Sequence, residues 1–262
     1  MPVEDGVGYG ELTPLKIEHF SRIMAMHMAI TQAVIKKSRY FKRVYRYIDL
    51  TAGKGYTPND LQGSPLVFLE QAESDFFQIP YHANFIESET QNIEELEANI
   101  LKALLTNNLA SRNIFLHQGN YEEIIPNLLT GTNKNELGLV FVDPSGDAPN
   151  FDTLKYIAQA RPRMEILIYL STTNIKRVHH LTDKFLRDYM EEIGKTHWLI
   201  RKPIPWDTHK WSFLLGSNTN IFKDYKKIDF LRLESEEAQQ FFPKLNLSEK
   251  QRQQKIQPRL FD

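Results

Sequence analysis

The segment Arg46-Tyr-Ile-Asp-Leu-Thr-Ala-Gly-Lys-Gly-Tyr56 decides how the rest of the chain is interpreted. Residues 45–50 are mostly apolar and predict a short strand, and Gly53 and Gly55 predict a tight turn directly after it. Glycines at this point let a backbone approach a ligand without an intervening side chain. The carboxylate of Asp49, at the end of the strand, can accept hydrogen bonds from a ribose hydroxyl or an amine. The segment therefore predicts a ligand site, with a purely steric glycine turn as the alternative.

Three further predicted strands end in polar residues, and they cover residues 81–88, 113–121 and 137–146. Glu87 closes the first of them, and its two carboxylate oxygens are suited to both hydroxyls of a ribose. Asn120 follows the second, where its amide could pair with the amine and a ring nitrogen of adenine. The third is fully apolar until it breaks at Asp143 and Pro144. Singly each ending is ordinary, but four in this order favour a common ligand site.

Predicted helices alternate with these strands, and more strands follow toward the C-terminus. The helices cover residues 14–37, a stretch from Ser64, 92–108, 151–160 and a stretch through Leu186; the later strands cover 165–170, 196–200 and 211–215. This alternation predicts an α/β protein with a doubly wound, seven-stranded, mostly parallel sheet, an N-terminal helix and a C-terminal helical tail. Ligands of such sheets bind at the carboxyl ends of the strands, where the polar endings fall.

Composition limits the possible functions. The chain has 262 residues, a formal net charge of −1 and no cysteine. The absence of cysteine excludes disulfides and thiolate metal sites, and the scattered histidines predict no metal site. No apolar run approaches the roughly 18 residues of a membrane span. We expect a cytoplasmic protein. With so little net charge, a nucleic acid would have to meet a local basic patch. Residues 36–46 carry six cations among aromatic residues and are one such patch, unless they are simply a solvated helix end.

The order Asp-x-x-x-Gly-x-Gly resembles the first motif of class I S-adenosylmethionine-dependent methyltransferases. Over about residues 14–230 the chain resembles the three-Cys-motif partner proteins, a branch of that fold. Residues 47–55, 63–66, 85–87, 140–146 and 174–177 carry the likeness. The resemblance implies S-adenosylmethionine as cofactor, bound at Asp49, Gly53, Gly55 and Glu87, and an iron–sulfur-type three-Cys protein as partner. Thr51 and Asn120 complete the predicted set of cofactor-binding residues. Family members often have an aromatic residue where this chain has Ser145.

Asp143 and Pro144 are the predicted catalytic residues. Their placement resembles the Asp-Pro-Pro-Tyr motif of DNA adenine N6-methyltransferases, which act on a flipped base. Because the following Ser145 supplies no ring to stack on a base, an aromatic residue from elsewhere is needed; the candidates are Tyr56, Phe151 and Trp206. The predicted substrate-binding residues are Ser145, Asn174, Lys176 and Arg177. The first hypothesis is thus a bacterial or phage DNA methyltransferase. The alternatives are a non-catalytic partner of an iron–sulfur three-Cys protein and a methyltransferase for RNA or a small molecule.

The C-terminal part differs in character from the rest. We predict a methyltransferase-like domain over residues 1–230, then a charged helix over 231–242 and a polar, flexible tail that extends to residue 262. The final Gln257-Pro-Arg-Leu-Phe-Asp262 resembles the short peptide by which bacterial DNA enzymes bind the replication sliding clamp. Gln257, Leu260 and Phe261 are the residues that such a clamp would contact. The alternative is an arbitrary tail with two apolar residues.

Overall fold

The computed structural model describes residues 13–107, 113–144, 148–171, 184–203, 211–242 and 245. Within these ranges eight strands form one sheet in the order β3-β2-β1-β4-β5-β7-β6-β8. The strands are β1 (Tyr45–Asp49), β2 (Tyr81–Glu87), β3 (Ile114–Gln118), β4 (Leu137–Val142), β5 (Glu165–Ser171), β6 (His197–Arg201), β7 (Trp211–Ser217) and β8 (Phe230–Arg232). Strands β1–β6 run in the same direction, and β7 and β8 are antiparallel to their neighbours.

Helices cover both faces of the sheet. They are α1 (Thr13–Lys37), α2 (Ser64–Ala72), α3 (Thr90–Asn107), α4 (Tyr121–Leu128), α5 (Phe151–Ala160), α6 (Leu186–Ile193), α7 (Phe222–Tyr225) and α8 (Glu236–Phe241), with a 3-10 turn over Lys226–Ile228. Local sequence explains several helix starts. Pro65 lies in the first turn of α2, and the Asn150 side chain caps α5 by accepting a hydrogen bond of 2.9 Å from the Thr153 N–H.

The core has two halves, one on each face of the sheet. On the first face α1, α2 and α3 bury an aromatic cluster in which Phe68 stacks on Tyr47 at 4.2 Å between ring centroids. On the second face α4, α5 and α6 pack on aliphatic side chains of the sheet, and Phe242 joins them from the C-terminal side. Helix α1 runs along the first face from the carboxyl edge to the amino edge, because Lys16 contacts Asp143 and His27 contacts Glu165. Residues near its N-terminus are therefore placed beside the predicted site.

The predicted α/β class and mostly parallel sheet are confirmed, and the sheet has an eighth strand. The helix predicted over residues 231–242 is wrong in its first part. Residues 230–232 instead form β8 on the free edge of β6, and the helix begins only after Ser235, whose hydroxyl accepts a hydrogen bond from the Ala238 N–H. Pairing with an open edge satisfies backbone groups that a helix start would leave unpaired. Strand β8 crosses the predicted domain boundary at residue 230.

The basic segment 36–46 lies at the amino edge of the sheet, away from the strand endings that predict the site. Two of its cations, Lys42 and Arg46, each lie 3.2 Å from Glu136, which directly precedes β4. Arg161 also contacts Glu136, with 2.5 Å between Nε and Oε2, and both residues are buried. The placement favours a structural role for these cations over contact with a nucleic acid at the site.

Candidate functional site

The glycine turn after β1 presents one open glycine and one packed glycine. Gly53 and Gly55 have φ values of +63° and +90°, the left-handed region that favours glycine. A Cβ added to Gly55 would lie 3.1 Å from the Leu96 Cδ1, so Gly55 is needed for close packing against α3. A Cβ added to Gly53 would meet nothing within 4 Å. The turn therefore leaves an uncovered backbone at Gly53, as a ligand cradle requires.

Glu87 lies beside this turn, as the sequence predicts. Its Oε2 accepts a hydrogen bond of 2.8 Å from the Gly53 N–H, and its Oε1 accepts one of 3.0 Å from the Glu89 N–H. The carboxylate thereby joins the end of β2 to the turn after β1. The Ser88 hydroxyl and the Asn92 amide also donate to Oε1, each at 3.5 Å, so Oε2 is the oxygen that retains an acceptor position for a ribose hydroxyl.

Asp49 lies beneath the turn. Its side chain is 0% exposed and accepts hydrogen bonds from the Tyr47 hydroxyl at 3.1 Å and from the Thr51 N–H at 3.2 Å. Burial raises the pKa of Asp49 to about 7, although hydrogen bonds from Ser64, Thr51 and Tyr47 oppose the rise. Asp49 thus orders the backbone of the turn, and its effect on a ligand would be transmitted through that backbone.

The raised pKa predicts how Asp49 affects stability. The folded protein holds the Asp49 proton up to about pH 7, whereas the unfolded chain releases it near pH 4. The contribution of Asp49 to the free energy of unfolding is therefore greatest at low pH and falls as pH rises from 4 to 7. We expect Asp49→Asn to remove this fall, so that wild type loses up to about 4 kcal/mol relative to the variant over that range. Urea unfolding of both proteins from pH 4 to pH 8 measures it, and parallel curves would contradict the burial account.

Asp143 lies at the end of β4, close to the glycine turn. Its N–H donates a hydrogen bond of 2.8 Å to the Thr51 hydroxyl, which fixes the two strand ends together. Its carboxylate forms an ion pair with Lys16 of α1. The Lys16 ammonium also lies 4.6 Å from the centroid of the Tyr169 ring, and Tyr169 stacks on Trp211 with centroids 5.2 Å apart. The end of β4 is thus bordered by an ammonium and two stacked rings.

Sequence reasoning missed Lys16, Tyr169 and Trp211. Lys16 carried a usable signal, because a cation within the first turn of a helix opposes the helix dipole and α1 has no acidic residue there. Of the aromatic candidates from the sequence, Phe151 stacks on Tyr189 at 4.1 Å on the second face, and Tyr56 pairs with Gln62 in the loop before α2. The stacked pair is contributed by β5 and β7, whose juxtaposition follows only from the antiparallel pairing of distant segments.

The remaining predicted site residues divide into two groups. Asn120 is exposed at the N-cap of α4, and its side chain makes no capping hydrogen bond. Those outside the described residues are Ser145, Asn174, Lys176, Arg177, Trp206, Gln257, Leu260 and Phe261.

In the described ranges no three His, Asp or Glu side chains converge as metal ligands. Across the same part of the chain, no helix has the length and apolarity that a membrane crossing requires.

Comparison with solved structures agrees with this architecture. Protein LPL1258 from Legionella pneumophila is similar over 85% of this chain and 92% of its own, with 14% identity and a TM-score of 0.51. Two further structures have lower TM-scores. Spermidine synthase from Thermotoga maritima is similar over 80% of this chain and 62% of its own, with 10% identity and a TM-score of 0.46. The METTL16 MTase domain is similar over 76% of this chain and 68% of its own, with 13% identity and a TM-score of 0.43. No family model matches the chain, and no curated protein matches it.

The sheet order 3-2-1-4-5-7-6 with an antiparallel β7 is decisive. The chain has the class I methyltransferase fold. The likeness to LPL1258 supports this fold. In this fold the order of strands reverses between β1 and β4, and open α/β sheets bind ligands at the carboxyl edge of such a point. Gly53, Glu87 and Asp143 all lie at that edge.

Proposed function

We propose that the protein is an S-adenosylmethionine-dependent methyltransferase that methylates an amino group of a DNA base, such as adenine N6. The arrangement around Lys16 carries the proposal. An ammonium group is held between the Asp143 carboxylate and the face of the Tyr169 ring, at the end of β4. An amine acceptor needs the same two features, because a carboxylate accepts its N–H groups and a ring supports its flat body. Lys16 thus marks a position suited to a substrate amino group.

The cofactor fits the glycine turn. Gly53 offers uncovered backbone, and the Oε2 of Glu87 has acceptor capacity for a ribose hydroxyl next to it. Asn120, exposed at the start of α4, is available to an adenine. When bound there, S-adenosylmethionine supplies an electrophilic methyl group, so the protein needs mainly to orient the acceptor.

The chain's own residues would orient the acceptor. Asp143 draws hydrogen bonds from the amino group, which localises the nitrogen lone pair, and the carbonyl of Pro144 assists. Trp211 and Tyr169 supply the stacking surface that Ser145 lacks. Lys16 must leave Asp143 before the amino group takes its place.

The test is transfer of tritium from labelled S-adenosylmethionine to DNA, RNA and a small-molecule extract in parallel. The proposal predicts label in DNA, located on an exocyclic amine after digestion to nucleosides. Label only in RNA or in the extract would leave a methyltransferase and remove the DNA assignment.

A second candidate is a non-catalytic cofactor-binding partner of an iron–sulfur three-Cys protein. The Lys16–Asp143 ion pair favours it, since this pair fills the acceptor position and neutralises the carboxylate. Cofactor binding without label in any acceptor, even after Lys16→Ala opens the position, is the result expected of such a partner.

Recruitment to a sliding clamp by Gln257, Leu260 and Phe261 is a separate proposal. A fluorescent peptide of residues 254–262 tests it, and failure to bind a bacterial clamp would end it.

A further inference from the structure

A cleft of about 560 Å³ lies between α1 and the segment 227–229. Its lining combines the apolar Ile23 and Met26 with four basic residues and one carboxylate; the basic residues are His19, Arg22, Arg201 and Lys227, and the carboxylate is that of Asp229. His19 follows Lys16 by three residues on α1, which places the two residues about 4.5 Å apart along the helix axis. The cleft therefore adjoins the acceptor position.

Each of the three cations of this cleft pairs with one acidic side chain, through a pair that is either long or exposed to solvent. Arg201 is only 6% exposed, and its acidic contact is Asp229 at 3.4 Å, a long ion pair. Arg22 and Lys227 are exposed and pair with Glu18 and Asp224 at 3.3 and 3.2 Å. Such surface pairs are worth at most about 1 kcal/mol, so their cations can turn to another anion at little cost.

His19 is the most telling of the lining residues. Its Nδ1 is buried and has no hydrogen-bond partner within the described residues. Burial, followed by the charge of Arg201, lowers the pKa of His19 to about 4, and Arg22 acts in the same direction. Burial also lowers the pKa of the Arg201 guanidinium; the charge of Asp229 opposes this, and Arg22 adds to the lowering. An anion between Arg22 and Arg201 would accept hydrogen bonds from both guanidinium groups and reduce the repulsion between them.

We propose that this cleft binds a phosphate group of the nucleic-acid strand, close to the nucleotide whose base enters the acceptor position. The inference rests on the proposed function and adds the contact that holds the strand. Arginines in pairs suit phosphate because the guanidinium offers bidentate donors, and the apolar part of the lining can receive the adjoining sugar. Phosphates follow one another every ~3.4 Å along a strand's axis, so a cleft one turn from Lys16 is in reach of a neighbouring nucleotide. The cleft also takes the place of the segment 36–46 as the basic surface for a nucleic acid, because that segment lies at the amino edge of the sheet, away from the acceptor position.

The test combines Arg22→Ala with Lys227→Ala in the full chain. The matched control combines Lys184→Ala with Arg187→Ala, which also removes two cations from surface ion pairs, here beside α6 on the second face. Binding of a short fluorescein-labelled single-stranded oligonucleotide is followed by anisotropy at several salt concentrations. We expect the cleft variant to bind about 10-fold more weakly, with a salt dependence shallower by about 1.4 in slope, from ~0.7 per phosphate contact on single strands. The control should match wild type.

Equal affinity of the cleft variant and the control would overturn the proposal. Adenosine monophosphate and inorganic phosphate serve as competitors that distinguish the source of the phosphate. Loss of their binding in the cleft variant, without loss of oligonucleotide binding, would assign the cleft to a free phosphate compound and reject the strand. Cofactor affinity by calorimetry should be the same in all three proteins. Because the readout is binding, failure of methyl transfer in wild type removes the proposed function without deciding the cleft.

Discussion

Asp143→Ala should lower methyl transfer by about 10²–10⁴-fold while leaving the affinity for S-adenosylmethionine nearly unchanged. The reason is placement: Asp143 is at the end of β4 and faces the amine position marked by Lys16, whereas the predicted cofactor contacts are at Gly53 and Glu87. Single-turnover transfer and calorimetry measure the two quantities separately. Asp75→Ala, which removes an exposed carboxylate in the loop before β2, is the matched control.

A large loss of cofactor affinity in Asp143→Ala would contradict this division of roles. So would transfer at the wild-type rate, which would move the acceptor away from β4. The backbone N–H of Asp143, which bonds the Thr51 hydroxyl, is retained in the variant, so the junction between the two strand ends should persist. Circular dichroism checks that the fold is intact.

The second large effect concerns stability. Glu136 is 6% exposed and contacts Arg161, Arg46 and Lys42 at the amino edge of the sheet. Glu136→Gln keeps the shape but removes the charge that compensates the buried Arg161 guanidinium. Breaking a buried ion pair in this way costs about 3–5 kcal/mol. Glu191→Gln removes the exposed partner of Arg187 and should cost no more than about 0.5 kcal/mol. Urea unfolding of both variants at pH 7 gives the comparison.

The effect of Glu136 should also depend on pH. Burial raises the pKa of Glu136, but the cations of Arg46, Lys42 and Arg161 outweigh burial and hold it below its usual value. A lowered folded-state pKa means that the stabilisation is present above the unfolded value of about 4.5 and is lost as pH falls through the folded value. The gap between wild type and Glu136→Gln should therefore shrink below pH 4.5. A gap that stays constant in acid would contradict the charge account.

The sequence predicted what is local to a strand and its following turn. Apolar runs ending in Asp49, Glu87 and Asp143 gave the sheet and the edge that carries the site, because parallel strands must align their carboxyl ends. Contacts between distant segments could not be predicted. Lys16 lies 127 residues from Asp143 in the chain, and its position depends on how α1 packs across the first face.

One open alternative and one wrong prediction have the same origin. The cations of 36–46 have the composition of a nucleic-acid patch, yet the direction of α1 places them at the amino edge. Residues 231–242 have a helix-like composition, but the unpaired edge of β6 draws residues 230–232 into the sheet. In both cases tertiary context overrode a local pattern. The burial of Asp49 was hidden likewise, since a polar residue at a strand end gives no sign of whether it faces the ligand or the core.

The turn after β1 is the proposed binding site of S-adenosylmethionine, and a substitution at Gly53 probes this turn. Gly53 and Gly131 have nearly the same positive φ, +63° and +64°, and a Cβ at either meets nothing within 4 Å. Alanine at either position should therefore cost a similar backbone strain of about 1 kcal/mol, although only Gly53 lies in the proposed cradle. Titration calorimetry with S-adenosylmethionine should show a Kd at least 10-fold higher for Gly53→Ala and an unchanged Kd for Gly131→Ala. Wild-type affinity in Gly53→Ala, or no binding to wild type at all, would show that this turn is not the cofactor site.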